Sequence, residues 1–157
     1  MKSELFERKS LLFFAILVLV LYLSSTITAD TLVVSKEGSE FTSIQEAIDT
    51  AASGDTVKIK SGSYEENLTV DKDLTLKGSG PGGVEITSSK KGHPVLLVGP
   101  SDVEVTVEGM KFSGATGKCK NWDKGICPYG ISLTGDVDGE ITDSTTTDNE
   151  WNGISLS

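Results

Sequence analysis

Residues 41–64 read FTSIQEAIDTAASGDTVKIKSGSY, and the spacing of apolar side chains changes partway through. Phe41, Ile44, Ala47, Ile48 and Ala51 fall three and four apart, while Gln45, Glu46 and Asp49 take the other faces, the pattern of an amphipathic helix. Ser43 followed by Glu46 has capping-box spacing, and Gly54 stands just past the end, so a helix of about three turns is expected. From Thr56 the period drops to two. Val57 and Ile59 alternate with lysines, and a turn-rich Ser61-Gly62-Ser63 follows.

The rest of the chain repeats that short alternation. Leu68 and Val70, Leu74 and Leu76, Val84 and Ile86, residues 95–98, and Val103, Val105 and Val107 each give a strand of three to five residues. Met110 and Phe112, Ile131 and Leu133, Ile141, and Ile154 and Leu156 continue the series. Each strand offers about two apolar side chains to one side, too few to bury alone. Two-residue hairpin signals are missing, and there is no second long helix for strand–helix–strand crossovers. Leu74 to Val95 and Ile131 to Ile154 suggest a repeat of about twenty residues, and GISLTG at 130–135 is nearly copied by GISLS at 153–157. Such a period predicts a solenoid, an all-β right-handed parallel β-helix in which the short helix covers the open apolar end and residues 31–34 form the first strand. A small antiparallel sandwich is the competing fold.

Residues 1–10 carry Lys2, Arg8 and Lys9, residues 11–23 are an unbroken apolar run, and residues 24–29 (SSTITA) are small. That order predicts a secretory signal over 1–29 and a folded domain over 30–157, because a bilayer span needs about 20 apolar residues. Glu4 and Glu7 support the alternative of a retained membrane anchor. The expected localisation is secreted or cell envelope, with no membrane contact after cleavage. Residues 30–157 hold 11 Lys, no Arg and 21 Asp or Glu, a formal charge of −10. Nucleic acid and anionic membranes require cationic neutralisation, so neither is an expected partner.

Cys119 and Cys127 flank CKNWDKGIC and predict a disulfide in an exported chain; a metal pair is the alternative, with His93 the single nearby histidine. Asn67-Leu68-Thr69 is a glycosylation sequon. Trp122, Tyr129 and Trp151, in or near the cysteine loop, are candidate sugar-stacking residues. Asn149 and Asn152 are expected to turn a rung in the left-handed conformation. Asp136, Asp138 and Asp143 are candidate calcium ligands, and no other cofactor is expected.

FTSIQEAIDTAASGDTVKIKSGSYEENLTVDKDLTLKGSG resembles the N-terminal segment of the pectin-lyase-like right-handed β-helix superfamily, as found in pectinesterases and periplasmic copper-binding β-helix proteins. The resemblance spans residues 31–80 and continues more loosely as degenerate repeats. It implies a parallel β-helix and a polysaccharide-related role. Pectinesterases of this superfamily use two Asp, a Gln oxyanion donor and an Arg, and GDVDG at 135–139 would place Asp138 on the nucleophile. Gly139 departs from the motif, Gln45 sits on the helix, and residues 30–157 have no Arg. Pectate lyases of this fold need an Arg base. The copper reading needs soft ligands, whereas His93 precedes a proline and Met110 reads as core. The expected function is therefore a non-catalytic exported module contacting polysaccharide, with a pectin lyase, a polysaccharide hydrolase or a fragment of one as the alternative. WNGISLS at 151–157 offers no evident cap, which leads to the expectations of a C-terminal truncation and of self-association through the last rung.

Overall fold

The computed structural model describes residues 28–80, 82–99, 102–121 and 123–156; the expected signal segment lies almost wholly outside them. β1 (Thr31–Val34) and α1 (Ile44–Thr50) precede four circuits of three strands. The first circuit is β2 (Asp55–Ile59), β3 (Gly62–Glu65) and β4 (Leu68–Val70), and the second is β5 (Leu74–Lys77), β6 (Val84–Thr87) and β7 (Leu96–Val98). The third is β8 (Val103–Glu108), β9 (Lys111–Ser113) and β10 (Ile131–Leu133), and the fourth is β11 (Val137–Thr142), β12 (Thr145–Thr147) and β13 (Ile154–Leu156).

Like strands stack on like. Sheet A runs β1-β2-β5-β8-β11, sheet B β3-β6-β9-β12 and sheet C β4-β7-β10-β13. Every pairing between these named strands is parallel. The sheets therefore form a parallel β-helix, and the sandwich alternative falls. Inward side chains make columns through the stack. Leu32, Val57, Leu76, Val107 and Ile141 share one column in sheet A. Tyr64, Ile86 and Phe112 share one in sheet B, and Leu68, Leu96 and Ile131 one in sheet C. Most of these residues are fully buried.

Several details differ from the sequence reading. Gly62 and Ser63 belong to strand β3 rather than a turn, because Tyr64 points inward, is fully buried and donates its hydroxyl to the Lys60 carbonyl at 2.9 Å. The polar Thr145–Thr147 strand carries no apolar alternation and was not expected. Leu74 does not stack on Val95; it stands on Val105, because insertions between β6 and β7 and between β5 and β6 lengthen the circuit. Ile131 does stack on Ile154.

The helix is seven residues, about two turns rather than three. It ends at Ala51, whose backbone is extended, and Gly54 instead takes its positive φ of 91° in the turn before β2. Ser43 is the N-cap, its hydroxyl accepting from Glu46 N–H at 3.3 Å as expected, and Glu66 and Lys72 add side-chain partners at the two ends. Glu66 accepts from the Ile44 and Gln45 N–H groups at 3.1 and 3.0 Å and from the Ser43 hydroxyl at 2.9 Å, which places an anion on the positive end of the helix. The Lys72 ammonium reaches the Ile48, Asp49 and Ala51 carbonyls at the other end. No helix among the described residues is long and apolar enough to cross a membrane.

Gln45 has a second task. Its carboxamide accepts from Thr69 N–H at 2.8 Å and donates to Thr69 C=O at 3.2 Å. β4 is the outermost strand of sheet C, so this side chain stands where the peptide of a neighbouring strand would. Gln45→Ala is expected to lower stability by about 1 kcal/mol. Gln45→Glu should cost at least as much, because a carboxylate cannot donate to the Thr69 carbonyl. Urea unfolding of both variants checks this, and a fully stable Gln45→Glu would show that the donated bond contributes nothing.

Candidate functional site

The three outer faces differ in chemistry. On sheets A and B, charged residues pair across rungs: Lys77 with Glu108 at 2.7 Å, and Lys111 with Glu85 at 2.9 Å. The Lys111 ammonium, hydrogen-bonded to Glu85, holds that carboxyl below its ordinary range. The outward row of sheet C carries no charge. Register aligns Thr69, Leu97, Ser132 and Ser155 along it.

The connections from sheet B to sheet C differ most in length. They occupy residues 66–67, 88–95, 114–130 and 148–153 in successive circuits, so two long excursions stack beside the sheet C row. The Gly92 N–H donates to the Thr116 carbonyl at 2.6 Å, and a side chain at Gly92 would collide with the Lys118 carbonyl. Only glycine permits that approach. Together the two excursions hold Lys90, Lys91, Lys118, Lys120 and Lys124 against Asp123, a charge of +4 in 25 residues. The remaining 103 residues of 30–157 carry −14. The bulk acidity thus conceals a cationic corner.

Two clefts open along the row. One, of about 250 Å³, is lined by Thr69, Lys90, His93, Leu97 and Ile126 among others. The other, of about 350 Å³, is lined by Leu97, Asp123, Lys124, Ile126 and Thr134 with Gly99 and Gly135. At the first, Lys120 Nζ lies 3.1 Å from His93 Nε2, and an ammonium has no acceptor, so the imidazole accepts. Burial first, then the Lys120 and Lys90 charges, hold His93 below its ordinary value. The ring is neutral at neutral pH, and two cations and a hydrogen-bonding ring converge there.

Cys119 and Cys127 are joined, closing a loop whose tip is bridged by Asn121 and Ile126. Of the other expected site residues that are described, Tyr129 and Trp151 meet, and the three aspartates do not converge. Trp122 lies outside the described residues. Tyr129 and Trp151 meet edge to face, with centroids 6.0 Å apart and planes at 89°, yet Tyr129 is only 4% exposed and presents no open ring face. Trp151, 39% exposed, stands on the last connection of the same corner. Asp136 precedes β11, Asp138 projects outward from it beside Glu104, and Asp143 follows it in a turn with φ 47°. Asp136 and Asp143 are thus roughly 20 Å apart at strand rise. Among the described residues no group of three His, Cys, Asp or Glu is arranged to hold a metal ion. Asp148, with φ 55°, takes the left-handed turn expected of Asn149 or Asn152. Asn149 instead accepts from Ala115 N–H at 3.0 Å across the rung. The Asn67 carboxamide of the sequon is likewise spent between rungs, on Ser88, Ser89 and Pro94. Sequence reasoning missed the Thr69–Leu97–Ser132 row and the lysine segregation; the second was legible in KKGHP and KCKNWDK.

No protein-family model matches the chain, and no curated protein does. Solved structures do. A pectin methylesterase in complex with hexasaccharide VII matches with a TM-score of 0.57 and 20% identity, over 74% of this chain and 43% of that one. A mutant pectin methylesterase in complex with hexasaccharide IV matches with a TM-score of 0.54 and 16% identity, over 82% of this chain and 49% of that one. The chain therefore spans less than half the length of these enzymes, and what it shares with them is the right-handed parallel β-helix of the pectin-lyase-like fold.

Proposed function

We propose that this chain is an exported β-helix module that binds polysaccharide along the outer face of sheet C without transforming it. The observation that carries this reading is the lysine-bearing pair of excursions beside an uncharged row of hydroxyl and aliphatic groups. Hydroxyls and an apolar floor suit a sugar ring, and flanking ammonium groups suit carboxylates borne on it. The fold shared with enzymes solved on hexasaccharides is consistent with this, and the cysteine bridge fits an oxidising compartment. Support for binding over catalysis is chemical. Glycoside cleavage draws on two carboxyl groups flanking the bond, and the residues lining the two clefts include one, Asp123.

Titration with hexagalacturonate by calorimetry tests this. Lys90→Ala with Lys120→Ala and Lys124→Ala should weaken binding about tenfold, since exposed pairs contribute roughly 0.2–1 kcal/mol each. Equivalent changes at Lys36, Lys58 and Lys77 should do nothing. Absence of binding by the parent protein sinks the reading. Methanol or unsaturated uronide released from pectin above a boiled control would favour the enzyme alternative.

A second proposal concerns the last strand. Ile154 and Leu156 continue the inward columns of Ile131 and Leu133, yet are 46% and 77% exposed, because β13 is the outermost strand of its sheet. A polypeptide of residues 30–157 is expected to self-associate through this edge. Ile154→Lys with Leu156→Lys should lower the association seen by sedimentation more than Ser155→Lys does. A parent polypeptide that stays monomeric at high micromolar concentration overturns the idea.

A further inference from the structure

The two clefts on sheet C are one groove with a bar across it. Leu97 and Ile126 line both. Leu97 belongs to the floor, whereas Ile126 belongs to the loop closed by Cys119 and Cys127, so that loop divides the groove. Beside Ile126, Gly125 rests directly on the floor. Its φ is 62°, and any side chain there would collide with Ser132 Oγ and Thr134 Cγ2. The strap is therefore seated by a glycine.

Beneath it lies a group without a partner. Ser132 is 0% exposed, and its hydroxyl makes no hydrogen bond in the structure. Such a group is normally satisfied, and an orphan points to something that can take its place beside it. The strap does not satisfy it. Lys120 and Asn121 N–H both donate to the Ile126 carbonyl, Ile126 N–H donates to Asn121 C=O, and Lys124 N–H donates to Asn121 Oδ1. Among the described residues, the hydrogen bonds of residues 120–126 run within the strap, to Cys119 or Cys127, or to His93. Through its described residues the strap holds itself together and makes no hydrogen bond to sheet C.

We propose that the Cys119–Cys127 loop is a removable strap over a buried subsite on Leu97, Ser132 and Thr134, and that the ligand it excludes is a hydroxyl-bearing pyranose unit. This rests on the reading of sheet C as a polysaccharide face. With the strap raised, the Ser132 hydroxyl meets a sugar hydroxyl, Leu97 packs under the ring, and the two clefts become one groove. The disulfide sets how often the strap lifts, because it fixes the base of the hairpin. A dithiol that reduces it delivers two electrons and two protons to the sulfurs and itself becomes a disulfide.

The test separates opening from binding. The thiol introduced by Ser132→Cys reports access to the floor. Its alkylation should be slow in the disulfide-bonded protein. It should be faster by on the order of 50-fold when Cys119→Ser and Cys127→Ser remove a cross-link between residues eight apart in sequence. Gly125→Val should accelerate it with the disulfide intact. For both strap variants, carrying Ser132, hexagalacturonate titration should give an affinity at least tenfold above the parent, and adding Ser132→Ala should remove most of that gain. Unchanged alkylation in both variants shows that the strap does not lift and overturns the proposal. Accelerated alkylation with the parent's affinity shows that nothing useful lies beneath it, which overturns it equally. No binding by the parent or either variant removes the polysaccharide reading and this subsite with it.

Discussion

Each strand of this protein contributes one to three inward side chains, and everything else depends on their standing in register from rung to rung. Leu32, Val57, Leu76, Val107 and Ile141 form a column only because each parallel pairing is aligned residue for residue. A slip of one residue would turn a strand's apolar side chains to solvent and its polar ones into the core. Lengthening is therefore excluded within strands and tolerated at corners. The circuits obey this: the extra residues at 78–83, 88–95 and 114–130 all lie between strands. The corner between sheets B and C took the most, and the candidate site grew there.

The same constraint explains the first end of the stack. An outermost strand has backbone groups facing no partner, and α1 covers this edge without being a strand. Gln45 substitutes a side-chain amide for the missing peptide opposite Thr69, while Glu66 and Lys72 hold the two ends of the helix from the rung it covers. Helix and first rung thus depend on each other. A seven-residue helix is too short to persist on its own, and charge complementarity at both termini compensates for the length.

Legibility in the sequence followed apolar periodicity. Where two inward residues alternate, as at Leu68 and Val70 or Val103, Val105 and Val107, the strand was readable. Where the inward position is Thr146 or the strand opens with Gly62, it was not, because nothing local distinguishes such a strand from a turn. Stacking partners were legible only across short connections: Ile131 on Ile154 was readable, but Leu74 on Val105 was hidden by inserted residues. The disulfide was legible from two cysteines in one excursion. The acidic trio is not brought together, since Asp136 and Asp143 lie at opposite ends of β11 and Asp143 serves a turn. Tyr129 and Trp151 came together, but Tyr129 was drawn into the wall. The floor of the groove escaped notice because Thr69, Leu97 and Ser132 are unremarkable one at a time and become a row only through register.

Net charge misleads for a related reason. A value of −10 averages over a molecule whose charges are sorted by the fold. On sheets A and B, Lys77 and Lys111 are neutralised by carboxylates one rung away, so their fields cancel within a few ångströms. Lys90, Lys91, Lys118, Lys120 and Lys124 share two excursions with a single Asp123, and there the fields add. At physiological ionic strength screening acts over about 8 Å, so a polyanion approaching this corner responds to the nearby lysines more than to acids on the far faces. The surplus of negative charge therefore does not argue against a polyanionic ligand, because five of the eleven lysines of residues 30–157 stand in the two excursions beside sheet C.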